Sequence, residues 1–357
     1  MNNQSKLYVD VHVLQTVPPS CINRDDTGSP KTAVYGGVTR ARVSSQSWKR
    51  AVRLMFREMF SQEQVGLRTK RAVELVTARL KAQGVEEGCE KLAAKALENA
   101  GIKVNKASQT DALLFLSPVQ AKELARLAIV GETDKQYYKN AIQEYPSVDM
   151  ALFGRMVASD PSLNYDAAAQ VAHSISTHEV RNEYDYFTAV DDCAPNDNMG
   201  AGHLGTVEFY SATLYRYATV NVQELVQYLK EDAPVAARNF VKAFLLSMPT
   251  GKQNTFANRT APDLAYVTLR RDQPVNLAGA FERPVRANGE GYVGASVRAL
   301  GHYALRTYQS FVTPPEQAFC VGAAEGAEAL APSVGMQELL DAVQNTVADY
   351  YKAEEEK

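Results

Sequence analysis

The 357-residue chain is 45% apolar and 22% charged, the balance of a globular protein with a sizeable core rather than of a disordered or fibrous one. No apolar run approaches the roughly 18–20 residues of a membrane helix, and the amino end lacks a secretory pattern, so a cytoplasmic protein with no membrane partner is expected. The net charge of -3 hides an asymmetry: eight Lys/Arg against Asp25 and Asp26 between Arg24 and Arg57, but nine Asp/Glu against Lys352 and Lys357 from Ser310 onward. Such a polarity makes one surface receptive to polyanions, or lets copies stack head to tail.

From Lys6 to Leu14 the residues alternate, with Leu7, Val9, Val11 and Val13 on one face and Tyr8, Asp10 and His12 on the other, which predicts a strand. After the turn-rich "NRDDTGSPK", Gly36-Gly37 predicts a hairpin leading into "RARVSSQSWKRAVR". There Ser45 or Ser47 is placed to cap a helix whose stripe of Trp48, Ala51, Val52, Met55 and Met59 faces the core. Lys49, Arg53 and Arg57 line up on an adjacent face.

From about 58 to 165 the chain reads as a helical insertion. "TKRAVELVTARLKAQG" and "EEGCEKLAAKALENAG" end on glycines, and "SPVQAKELARLAIVG" opens with a capping box of Ser117 and Gln120 around Pro118. An Ala-rich helix is predicted near 166–174. "EVRNEYDYFTAVDD" follows, "CAPNDNMGAGHLG" reads as a hairpin tip, and "TVEFYSATLYRYATVNV" reads as a long strand. A helix at 234–248, a strand near Leu264–Arg270, and helices at about 292–308 and 336–351 complete the reading. With the insertion set aside, the order strand, helix, strand, strand, helix, strand is that of a ferredoxin-like α+β fold.

The chemistry-bearing motifs are few. The four cysteines are far apart with no C-x-x-C, which argues against a thiolate metal site or a disulfide framework. Gly200–Gly205 matches G-x-G-x-x-G, but a strand follows where the dinucleotide fingerprint needs a helix. Gly251-Lys252 lacks the rest of a phosphate-loop frame, although Lys252 can reach an isolated phosphate. His173 and His178, five apart, cannot share a helical face as zinc ligands. The adjacent carboxylates Asp25-Asp26 and Asp191-Asp192 leave a metal-dependent ribonuclease using Asp25 or Asp26 as the weaker alternative. No catalytic set and no cofactor is expected.

Polyanion binding has more behind it. Arg24, Lys31, Arg40 and Arg42 precede the basic helix, Lys49 and Arg53 lie in it, and no acidic residue occurs from Lys31 to Arg57. Ser44, Ser45, Gln46 and Ser47 add neutral donors at the helix N-terminus, where unpaired N–H groups and the dipole favour a phosphate.

Seven stretches run in order through most of the chain and carry a resemblance. They are "CINRDDTGSPKTAVYGGVTRARVSSQSWKRAVR", "DMALFGRMVAS", "AAAQVAHSISTHEV", "DYFTAVDD", "GAGHLGTVEFYSATLYRYATVNVQEL", "PTGKQNTFANRTAPDLAYVTLR" and "NLAGAFERPV". Together they resemble the CasC-type backbone subunit of the type I-E CRISPR surveillance complex, Cascade. The resemblance implies a hand-shaped protein: an RNA-recognition-like palm (1–57 and 166–357), helical fingers (58–165) and an extended hairpin thumb (about 179–215). It implies that several copies polymerise along one CRISPR guide RNA, beside other Cascade subunits. Target DNA is then met through the guide in antiviral defence, and the subunit itself is no nuclease. On this resemblance Arg24, Ser44, Gln46, Lys49, Arg53, Met156 and Lys252 lie along the guide. Phe187, Thr188, Val190 and Leu204 form the thumb wedge that flips out a base at regular intervals. Related type III backbone subunits cut RNA with a loop aspartate, the basis of the Asp25/Asp26 alternative. The chain has no K/R-G-F/Y run, so clamping of the RNA backbone is expected in place of base stacking on the sheet.

Overall fold

The computed structural model describes residues 6–157, 159–189, 204–322 and 324–356. Val190, Asp191-Asp192 and the predicted hairpin tip with most of its glycine pattern lie outside the described residues. From its amino end the chain forms β1 (Tyr8–Ser20), the hairpin of β2 (Thr32–Tyr35) and β3 (Val38–Val43), and helix α1 (Ser45–Met59). A mostly helical stretch follows: β4 (Leu67–Thr69), α2 (Ala72–Ala82), α3 (Cys89–Asn99), β5 (Leu114–Leu116), α4 (Pro118–Ile129), α5 (Lys135–Gln143) and α6 (Val148–Phe153). Next come β6 (Ala169–Val171), β7 (Ser174–Ser176), β8 (Glu183–Thr188), the long β9 (Leu204–Asn221), α7 (Val222–Leu229) and α8 (Ala233–Leu246). The short α9 (Gln253–Phe256), β10 (Leu264–Arg270), α10 (Val293–Ser310), β11 (Gln317–Val321) and α11 (Met336–Glu355) complete the order.

The main sheet runs β11-β10-β1-β9-β7-β3-β2, with β6 and β8 also paired to β9. Its named strand pairs are all antiparallel. Within it, β10-β1-β9-β7 has the four-one-three-two order of the ferredoxin-like unit, with α1 and α8 as the two crossing helices. The fold is therefore α+β, built on one large antiparallel sheet.

Both faces of the sheet's central strands are covered. Leu7, Val9, Val11 and Val13 are fully buried in the core that includes Trp48, Phe240, Phe244 and Val343. Each such side chain contributes about 1.5–3 kcal/mol of burial. Alternation alone would leave the opposite face of β1 wet. Asp10 and His12 are nevertheless buried there, under Leu277, Phe281 and the apolar face of α10. Hydrogen bonds offset the cost of burying them: Asp10 accepts from Tyr217 Oη at 3.0 Å and from the Val275 N–H at 2.8 Å. His12 Nδ1 lies 2.9 Å from Tyr215 Oη.

Residues 166–174 correct one expectation, since they form β6 and the start of β7 instead of a helix. Ala169 and Val171 are buried while Gln170 is exposed, and Ala169 pairs with Val220 of β9. Alanine's helix preference is worth less than a ladder on an existing strand. The capping box at α4 is present as read, with Gln120 N–H donating to Ser117 Oγ at 3.0 Å and Ser117 N–H to Gln120 Oε1 at 3.1 Å. Helices α2 to α5 enclose a core of their own around Val76, Leu80, Leu97, Leu124 and Ile142. Helix α6 instead turns Val148, Ala151 and Leu152 into the main core.

Candidate nucleic-acid interface

Helix α1 is fixed to the sheet by its Trp48, whose Nε1 donates to Ser174 Oγ at 2.9 Å and whose ring lies 3.8 Å beneath the Arg216 guanidinium. That anchor turns the start of α1 toward the loop between β1 and β2. The Asn23 side chain bridges the two, accepting the Ser44 N–H at 2.9 Å and donating to Ser47 Oγ at 3.0 Å. His173, between β6 and β7, accepts the Ser45 N–H on Nδ1 at 3.0 Å.

These bonds take up part of the donor set expected for a phosphate. Ser44, rather than Ser45 or Ser47, holds the N-cap position, and its hydroxyl points to Ser47 Oγ at 3.2 Å. Ser44 itself is buried, whereas Gln46 is exposed. The amides of Ser44 and Ser45 already have partners, which a sequence cannot reveal because Asn23 and His173 arrive from other segments.

Two of the arginines are engaged by other segments of the chain. Arg40 is fully buried, and its guanidinium donates to the carbonyls of Tyr35, Ser176, Phe281 and Glu282 at 2.8–3.3 Å, so it holds the β2–β3 hairpin to the 281–282 segment. Gly36, at φ +60°, permits that approach, because a Cβ there would strike the Glu282 carbonyl. Arg53 Nε donates to Asp149 Oδ2 at 2.9 Å, with its guanidinium 4.5 Å from the centre of the Phe115 ring. It joins α1 to α6.

Other cations are disposed differently. Among the described residues, none of Arg24, Lys31, Arg42, Lys49, Arg50 and Lys252 has a carboxylate within ion-pair distance. Arg24 and Arg50 are exposed; Lys31, Arg42, Lys49 and Lys252 are half-buried. Arg42 Nε donates to the Thr32 carbonyl at 3.1 Å. Lys49 Nζ lies 5.9 Å from the Phe153 ring centre, and burial lowers its ammonium below the usual lysine range.

Gly251 brings the loop of Lys252 to this surface. A Cβ at Gly251 would strike the Ile22 carbonyl, and Asn258 Nδ2 holds the Gly251 carbonyl at 3.3 Å. Burial raises the Cys21 thiol above its ordinary range, with Arg24 and Lys252 acting against that rise and Glu208 and Asp25 adding to it, so both cations stand near Cys21. A groove of about 580 Å³ runs between the 22–28 loop, the Ser47–Leu54 side of α1 and Met248–Gly251. Arg50 is the lining cation that the sequence reading left out, although the basic run that holds it was the available signal.

Asp25 shapes that loop. Its Oδ1 accepts the Thr27 N–H at 2.9 Å, the Thr27 hydroxyl at 2.7 Å and the Ser29 N–H at 3.1 Å. The Thr27 hydroxyl bond leads in holding its carboxyl below the usual range. Asp26 is exposed beside it. Met156 is 79% exposed, so it is not a core methionine.

Farther along, β8 and the first part of β9 form an exposed two-stranded arm with Phe187 opposite Gly205 and Thr188 opposite Leu204. Phe187 is 45% exposed and its ring lies over Gly205, filling the place a side chain there would take. Tyr184 and Tyr186 stand on the other face of β8.

The chain matches the family model described as CT1975-like protein over residues 9–346. It is also similar to chains of two solved assemblies. One, from a "CRISPR RNA-guided surveillance complex, pre-nicking", is 34% identical with a TM-score of 0.78, over 95% of this chain and 100% of that one. The other, from a "CRISPR RNA-guided surveillance complex", is 29% identical with a TM-score of 0.72, over 95% and 99%. No curated protein matches the chain.

Proposed function

We propose, on the premise that the chain belongs to the CT1975-like protein family, that it is the guide-RNA-binding backbone subunit of a type I-E CRISPR surveillance complex. Its CRISPR association follows from the family and from the likeness to surveillance-complex subunits. The observation that carries the finer reading is the groove between the 22–28 loop, α1 and the 248–251 loop, where Arg24 and Arg50 stand beside Asp25 and Asp26 but in no ion pair among the described residues, with Lys252 near Arg24 at Cys21 and with Lys31 and Arg42 near His173. Contacts of that type grip phosphates and fix register without reading bases. Sequence specificity is left to pairing between the guide and target DNA.

Several copies then line one guide, beside the other subunits of the complex. The β8–β9 arm serves as the thumb, with Phe187, Thr188, Val190 and Leu204 as its wedge. Unstacking one step costs a few kcal/mol, which apolar contact with Phe187 helps to offset. Exposed Met156 is available to a base or sugar. The subunit acts without catalysis; a ribonuclease role for Asp25 is disfavoured because three donors of its own loop occupy Oδ1.

The test is isolation of the native particle, followed by mass measurement and sequencing of its RNA. One guide-length RNA with several copies of this chain is the expected result. A particle free of RNA would overturn the reading.

A further inference from the structure

His173 is not among the residues to which the family resemblance points, yet it stands at the same surface. Because Nδ1 accepts the Ser45 N–H at 3.0 Å, the neutral ring carries its proton on Nε2, at the opposite edge. The residue is exposed, and the cations that act on it are Arg42 and Lys31. Burial of part of the ring first, and those two charges next, hold it below the usual imidazole range, so it is neutral at pH 7. Protonating Nδ1 would also set two N–H groups against each other at Ser45.

We propose that His173 is a further guide-binding residue, its Nε2–H donating to a phosphodiester oxygen held near Lys31 and Arg42. The inference rests on the reading of this surface as the guide-RNA interface. The cations supply attraction, and the imidazole, fixed by Ser45, supplies direction. A neutral donor displaces no condensed counterion, so its loss lowers affinity without changing the salt slope.

The experiment uses the full chain with a guide-length RNA, titrated across a range of salt. His173→Asn keeps an acceptor for the Ser45 N–H but removes the outward donor. His173→Gln restores a donor near Nε2. The Asn variant should melt like wild type, bind about three- to tenfold more weakly, and keep the wild-type salt slope. The Gln variant should recover to within about twofold of wild type. Lys31→Ala, run in parallel, should reduce the slope by ~0.7. Wild-type affinity in the Asn variant would overturn the inference and leave His173 as a cap for α1. A wild-type protein that binds no RNA would overturn the parent reading, and this inference with it.

Discussion

Arg53 Nε lies 2.9 Å from Asp149 Oδ2, so a cation of the basic helix is turned inward to clamp α1 to α6. Asp149 is fully buried, and its other oxygen accepts the Gly66 N–H and the Ser147 hydroxyl, both at 2.8 Å. Asp149→Ala strands a guanidinium and two neutral donors, and should cost about 2–4 kcal/mol in urea denaturation. Arg53→Ala should cost less in water exposure but leave Asp149 a buried, unpaired charge. Neither should alter the salt slope of guide binding. A shallower slope with unchanged stability in Arg53→Ala would place that side chain on the RNA instead.

Asp10 and His12 share one face of β1 and titrate with opposite sign. Burial raises Asp10 to about 6 and lowers His12 to about 3, against unfolded values near ~3.9 and ~6.5. Between roughly pH 4 and 6 folded Asp10 keeps a proton that the unfolded chain releases, so its contribution to stability falls as pH rises. Over the same window unfolded His12 holds a proton that the folded ring lacks, so its contribution grows as pH rises. Each slope is on the order of 1.4 kcal/mol per pH unit, and the two cancel. Asp10→Asn should unmask a rise in stability from pH 4 to 6, and His12→Gln a fall. Urea midpoints that track wild type in both variants would refute the pairing.

Arg24 and Lys252 reach one surface from segments far apart in sequence. Arg24→Glu or Lys252→Glu should weaken binding of every guide sequence alike, and each lost phosphate contact should reduce the salt slope by ~0.7. Guides of unrelated sequence, titrated side by side, provide the check. A loss confined to some sequences would mean base readout.

Phe187 covers Gly205 on the exposed arm, so Phe187→Ala removes the ring without opening a core. Together with Leu204→Ala it should leave assembly intact and restore uniform stacking of the bound RNA. Chemical probing is the measurement, and periodic reactive bases that persist in the double variant would rule out the wedge.

Asp25 gathers Thr27 and Ser29 around one oxygen. Asp25→Ala should loosen the loop and lower guide affinity, and bound RNA should stay intact in Mg²⁺ or Mn²⁺ for both wild type and variant. Cleavage by wild type that the variant lacks would replace the binding role with a ribonuclease.

What the sequence settled by itself was local: the alternation of β1, the Gly36-Gly37 hairpin, the Ser117 capping box and the run of β10 all depend on neighbours within a few residues. The basic segment was legible for the same reason, since its charges are adjacent in the chain. Tertiary structure decided which of those charges face outward. Arg40 and Arg53 have the same composition signal as Arg24 and Arg50, but carbonyls from 281–282 and the carboxylate of Asp149 take them inward. Residues 166–174 became strand because β9 offered them a ladder, and His173 reached α1 only through that pairing. A side chain's partner is fixed by distance in space, and for these residues the partner lies some 90 to 240 positions away along the chain.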